Sequence, residues 1–172
     1  MRLFVSIDPP SQIRKQLAAW IPDNSGIKKT APRNMHLTLL FLGEQSREKS
    51  HIICESLQKV RFRSFQMTVQ EIGAFPDKRS PAVVWAGAEG TPELFNLQKK
   101  IENQLSLFTE PDLRPFRPHI TLARVKNPAR VTGEDIFSAS PAPLSFNVSG
   151  FSLKNSVLES SGAVHRVLKK FP

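Results

Sequence analysis

Four residues of this 172-residue chain stand out by type and spacing: His36 with Thr38, and His119 with Thr121. They belong to two copies of one pattern, His36-Leu37-Thr38-Leu39 and His119-Ile120-Thr121-Leu122, set 83 positions apart (119 minus 36). A strand turns successive side chains to opposite faces, so each histidine shares a face with its threonine while the aliphatic residues take the other. Imidazole has an ordinary pKa of about 6.5, so near neutral pH one ring can be neutral and its partner protonated. In-line displacement at phosphorus needs that pair, a base for the attacking oxygen and an acid for the departing one, on opposite sides. Thr38 and Thr121 offer hydroxyls to the non-bridging oxygens, and Arg124 offers a further clamp on the phosphate. Simple alternation turns Arg124 away from Thr121, so a bulge or the length of the side chain has to bring it round.

Other chemistries fit less well. A zinc site or metal pair takes at least three protein ligands, commonly with carboxylates among them, and no Asp or Glu stands in or beside either motif. The expectation is therefore no metal and no cofactor. There is no Gly-x-Ser-x-Gly element for triad hydrolysis, no glycine-rich turn after the first strand, and no helix-turn-helix or zinc-finger pattern. The lone cysteine, Cys54, sits beside Ile52, Ile53 and Leu57 and reads as a small buried hydrophobe.

The charge balance suits a folded surface that attracts a polyanion, or one that serves only solubility. Lysine and arginine outnumber the carboxylates 24 to 15, a net charge of +9, and the cations are scattered along the chain rather than gathered in a tail. No apolar run approaches a membrane span, and the N-terminus lacks the layout of a signal peptide, so the expected location is the cytoplasm.

The elements that position the motifs are legible in outline. A strand at Arg2–Ile7 is followed by a helix carrying Ile13, Leu17, Trp20 and Ile21, ended by Pro22. A polar loop runs from Asp23 to Asn34, a strand from Met35 to Leu42 closed by Gly43, a helix from about Arg47 to Val60, and a strand from Phe65 to Ile72. The second half opens with a strand at Ala82–Ala86. Thr91-Pro92 starts a long helix with Leu94, Leu97, Ile101, Leu105 and Phe108 on one face. A proline-rich loop, Thr109 to Pro118, leads into the strand His119–Val125, and two strands are expected near Leu144–Leu153 and Ala163–Phe171. Each half thus reads strand, helix, loop, strand, and the fourth element begins with a histidine in both. Two similar lobes facing each other follow from that order.

The paired His-x-Thr-Leu motifs resemble those of the two-histidine phosphoesterases, most closely the LigT-like RNA 2′,3′-cyclic phosphodiesterases once called 2′-5′ RNA ligases. The likeness covers nearly the whole chain: the opening Arg2–Asp8, the segments Asn34–Glu44 and Arg114–Arg124, and the ending from Phe151 to Pro172. It implies an α+β fold, bilobal and pseudo-symmetric, with antiparallel sheets facing a central cleft and helices outside. It implies one domain spanning 1–172, its two lobes intertwined. It also implies metal-independent hydrolysis of RNA 2′,3′-cyclic phosphate ends to 2′-phosphomonoesters, with His36 as proton donor and His119 as proton acceptor; the motifs' own symmetry gives no means of choosing between them. The closing hairpin of such proteins often carries tyrosines. This chain has none, and Lys154 and His165 stand near those places.

Of the remaining residues, His51 and His165 read as surface histidines. Phe41 and Phe116 flank the motifs, where they can stack on a base or pack in the core. Lys28, Lys29, Arg33 and Arg117 precede the histidine strands, where they either line the cleft mouth and guide RNA or are solvated loop charges. The expected partner is RNA with a 2′,3′-cyclic phosphate terminus, taken by a monomer. The competing readings are a phosphodiesterase for a small cyclic nucleotide or metabolite, 2′-5′ ligation as a minor reverse activity, and a non-catalytic RNA-binding protein.

Overall fold

The computed structural model describes residues 1–110, 112–138, 140–160 and 162–172, apart from the side chain of residue 135. In chain order the described elements are β1 (Arg2–Ile7), α1 (Ser11–Ala19), β2 (Ile27–Lys29), β3 (Leu37–Glu44), α2 (Arg47–Leu57), β4 (Phe65–Phe75), β5 (Val83–Ala88), α3 (Pro92–Gln104), β6 (His119–Val125), α4 (Gly133–Phe137), β7 (Leu144–Val148), β8 (Phe151–Glu159) and β9 (Gly162–Phe171). All pairings are antiparallel, in the order β7-β4-β5-β6-β3-β1-β8-β9, with β2 added to the edge of β6. The fold is α+β.

Two four-stranded groups make up this sheet, β7-β4-β5-β6 and β3-β1-β8-β9. They meet at a single pair, Leu37 opposite Ile120. Neither group comes from one half of the chain. β4 leaves the first half to lie between β5 and β7, and the β8–β9 hairpin returns to cover β1. Leu37 and Ile120 are both fully buried, and the helices pack on their side: Leu94, Leu97 and Ile101 of α3, and Leu105 just after it, lie in the core, with α3 against β3 and α2 against α3. The Thr91 hydroxyl accepts from the Leu94 N–H at 3.3 Å and caps α3.

Several boundaries differ from the sequence reading, each for a local reason. β2, inside the expected 23–34 loop, is only three residues long and exists because β6 offers it an edge. β3 begins at Leu37, so His36 stands just before the strand, after a 3₁₀ turn over Pro32–Asn34. Gly43 does not close β3. At φ +65° it sits opposite Leu3 next to a register shift, and the strand runs on to Glu44. The expected strand Leu144–Leu153 is two strands, because the chain leaves one group for the other between Val148 and Phe151. Gly150 is needed there: a Cβ on it would lie 2.6 Å from the Phe171 carbonyl oxygen. The five-residue α4 was not anticipated, being too short to show periodicity. Pro111, in the expected 109–118 loop, lies outside the described residues.

Candidate active site

The register at the joint decides which way the motif side chains face. Residues opposite each other in a ladder point to the same side of the sheet, and Leu37 and Ile120 both point into the core. Their neighbours His36, Thr38, His119 and Thr121 therefore all turn to the other side. Continued by one residue either way, the same antiparallel register brings His36 toward Thr121 and Thr38 toward His119 across the joint. All four side chains line one cavity of about 680 Å³.

Both strands carry an extra residue at the same point of the motif. Along β1 and β3, Val5 pairs with Leu40 and Ser6 with Thr38, which leaves Leu39 as the bulge. Along β5 and β6, Val84 pairs with Ala123 and Trp85 with Thr121, which leaves Leu122. Two consecutive residues are then buried in each strand, Leu39 with Leu40 and Leu122 with Ala123. The bulge reverses the alternation beyond it. Arg124 is thereby brought round to the cavity, and so is its positional counterpart Phe41, which is 68% exposed.

Each imidazole is fixed by the carbonyl two residues before it. His36 Nδ1–H donates to the Asn34 carbonyl at 2.6 Å and His119 Nδ1–H to that of Arg117 at 2.7 Å. A carbonyl only accepts, so both rings carry hydrogen on Nδ1 and keep Nε2 for the cavity. The surroundings differ. His119 stands edge-on to Phe75, with centroids 5.1 Å apart, and near Trp85 at 6.1 Å. Trp85 lies flat over Gly73, its ring 2.1 Å from where a Cβ would be. His36 leans on Phe4 at 4.8 Å. Burial and the nearby Lys154 ammonium push the His36 imidazole down to about 4, the Asn34 hydrogen bond and Asp8 acting weakly against them.

Lys154 is itself buried at 3% exposure, bonded to Asp8, whose other oxygen accepts from the Ser152 hydroxyl at 2.9 Å. Asp8 entered the sequence reading only as the last residue of the opening segment Arg2–Asp8. Its role under the site depends on β8 lying beside β1, which no local signal announces.

His165 corrects the sequence reading. It is half-buried in the cavity wall, edge-on to His36 with centroids 5.0 Å apart, and burial followed by Lys154 lowers its pKa. His51 is exposed on α2. Lys28, Lys29 and Arg33 line the cavity, whereas Arg117 is exposed outside it. Phe116 packs edge-on against Phe95 at 5.9 Å, against the core. Cys54 is half-buried, and burial pushes its thiol up, away from the reactive thiolate. Among the described residues no three His, Cys, Asp or Glu side chains gather as a metal site, and no helix is long and apolar enough to cross a membrane.

Comparison with known proteins finds the same duplication. The model of the family described as LigT like phosphoesterase matches twice, over residues 7–85 and 87–165. An RNA 2′,3′-cyclic phosphodiesterase of Archaeoglobus fulgidus is 34% identical, over 99% of this chain and 99% of its own length. That of Thermotoga maritima is 36% identical over 98% of this chain and 93% of its length. The crystal structure of Escherichia coli LigT complexed with 3′-AMP superposes with a TM-score of 0.80 at 33% identity, covering 99% of this chain and 96% of that one.

Proposed function

This chain belongs to the LigT like phosphoesterase family, and on that premise we propose that it is a hydrolase that opens RNA 2′,3′-cyclic phosphate ends to 2′-phosphomonoesters. The observation that carries the proposal is the set of two imidazoles, each with Nε2 free, on one face of the sheet with both threonines. The phosphate sits between the rings. Thr38 and Thr121 donate to its non-bridging oxygens and Arg124 neutralises their charge. His119 Nε2 takes a proton from water as the water oxygen bonds to phosphorus. The bond from phosphorus to the 3′ oxygen breaks on the far side, and His36 Nε2–H gives that oxygen its proton.

In the free cleft His36 is neutral at pH 7, because burial and Lys154 oppose its charge. The anionic phosphate supplies the opposite charge that lets the ring take up a proton, so the acid is loaded as substrate binds. Phe41 offers a face on which a base can stack. Every group in this scheme comes from one chain, so a monomer suffices, and no step calls for a metal.

The test is hydrolysis of an oligonucleotide ending in a 2′,3′-cyclic phosphate with excess chelator present. Wild type acts, while His36→Ala and His119→Ala each lose about 10²- to 10⁴-fold in kcat. Sensitivity to chelator, or indifference to either substitution, overturns the mechanism.

A further inference from the structure

The end phosphate accounts for His36, His119, the two threonines and Arg124, yet the same cavity is lined by further cations and, among the described residues, by no Asp or Glu. Their placement follows from the register of the short strand β2. Lys28 lies opposite Arg124, so the two share the face that the Leu122 bulge turned toward the cavity. Lys126 is two residues beyond Arg124, about 7 Å along an extended chain and again on that face. Its N–H is tied to the Gly26 carbonyl at 2.7 Å, which continues the β2–β6 pairing past the end of the strand. A row of three cations thus leads outward from the site of chemistry. Arg33, in the turn between β2 and β3, joins it at the cavity wall. Among the described residues neither Lys126 nor Arg33 forms an ion pair with a carboxylate.

Across the cavity the tip of the β8–β9 hairpin approaches this row. A Cβ on Gly162 would lie 3.3 Å from Lys28 Nζ, and Asn34 donates to the Ala163 carbonyl at 3.0 Å. The hairpin thus borders the row on one side of the cavity. An RNA that ends in a 2′,3′-cyclic phosphate can extend only on its 5′ side, so any further phosphate reaching the row is an internucleotide one.

Resting on the proposed function, we propose that the β2–β6 ribbon is a second anion site, in which Lys28, Lys126 and Arg33 hold the phosphate that precedes the cyclic end. The preferred substrate is then an oligonucleotide and not a cyclic mononucleotide.

The experiment compares kcat/KM for adenosine 2′,3′-cyclic phosphate, its 5′-phosphorylated form, and the dinucleotide ApA ending in the same cyclic phosphate, across a range of salt. The dinucleotide is expected to be turned over about 10-fold more efficiently, the worth of one charge-assisted contact. Its advantage shrinks with salt, by about 0.7 in the log–log slope for each phosphate engaged. The 5′-phosphorylated mononucleotide recovers part of that advantage, since it supplies the phosphate without the second base. Lys28→Ala with Lys126→Ala lowers the ratio of dinucleotide to mononucleotide efficiency, and mononucleotide turnover reports that the variant is folded. A ratio near one in wild type with the mononucleotide turned over overturns the second site and leaves the proposed function standing. A dinucleotide advantage indifferent to salt and to both lysines overturns it too, and assigns the gain to the second base. If no cyclic phosphate is hydrolysed, the proposed function itself fails and the second site with it.

Discussion

Lys154 is bonded to Asp8 inside the protein, close enough to His36 to lower its affinity for a proton. A buried cation next to a buried imidazole adds to the effect of burial on the ring's resting state. Burial first and Lys154 second hold His36 neutral, against a weaker pull from Asp8, and the Lys154–Asp8 pair ties the end of β1 to β8 on the lobe that carries His36.

Lys154→Met removes the charge while filling similar volume. The His36 imidazole then titrates above its resting value of about 4, because Lys154 lowers it and Asp8, left behind, raises it. Proton NMR of the ring hydrogens against pH measures this. A midpoint that stays near 4 refutes the role given to Lys154.

Stability depends on pH through the same ring. The folded His36 titrates near 4 and an unfolded one near 6.5, so between these values the unfolded chain binds the proton that the folded one refuses. The contribution is intact above about pH 6.5, falls as pH drops through that window, and levels off below pH 4. The shift corresponds to at most about 3 kcal/mol. Urea denaturation at pH 7 and pH 4.5 reads it, and His36→Leu, which cannot titrate, has a smaller difference between the two pH values than wild type. Equal differences in the two proteins contradict the assignment.

Arg124→Lys keeps the charge and loses the planar fork that can grip two phosphate oxygens at once. We expect kcat/KM to fall about 10- to 100-fold, the worth of a hydrogen bond to a charged group. Arg124→Ala costs more. If lysine restores full activity, Arg124 acts as a point charge only.

Gly73→Ala tests the seat of His119. The new methyl would meet the Trp85 ring at 2.1 Å, so the indole must lift off the sheet toward Phe75 and His119. Thermal denaturation should show a lower Tm, and kcat should drop although residue 73 is not itself in the cavity lining. Unchanged kcat with lowered Tm would mean that Trp85 is a packing residue with no hold on the imidazole.

The two motifs, the element order and the face shared by His36 and Thr38 were legible because strand alternation and helical spacing are local. The position of Arg124 was half legible. Its parity demanded a bulge, but only pairing with β5 identifies Leu122 as the extra residue. His165 was noticed in the closing hairpin but read as a surface residue, and nothing in the sequence gave Asp8 a place beside the histidines. What places them at the site is that β1 lies between β3 and β8, and a pairing between the two ends of a chain leaves no mark in either segment. β2 was missed for the same reason, since three residues become a strand only when a neighbouring edge is present.

The exchange of strands between halves also has a bearing on biosynthesis. β1 is made long before one of its two partners, β8, with most of the other elements between them. Until β8 is made, one edge of β1 lacks its hydrogen-bonding neighbour, and its apolar side chains, Phe4 and Val5 on opposite faces among them, wait for cover. Pairing across so much intervening chain folds slowly. The wall of the cavity that holds His165 is thus completed only once the β8–β9 hairpin has been made, so a chain truncated before Phe151 keeps both motif histidines and lacks that wall.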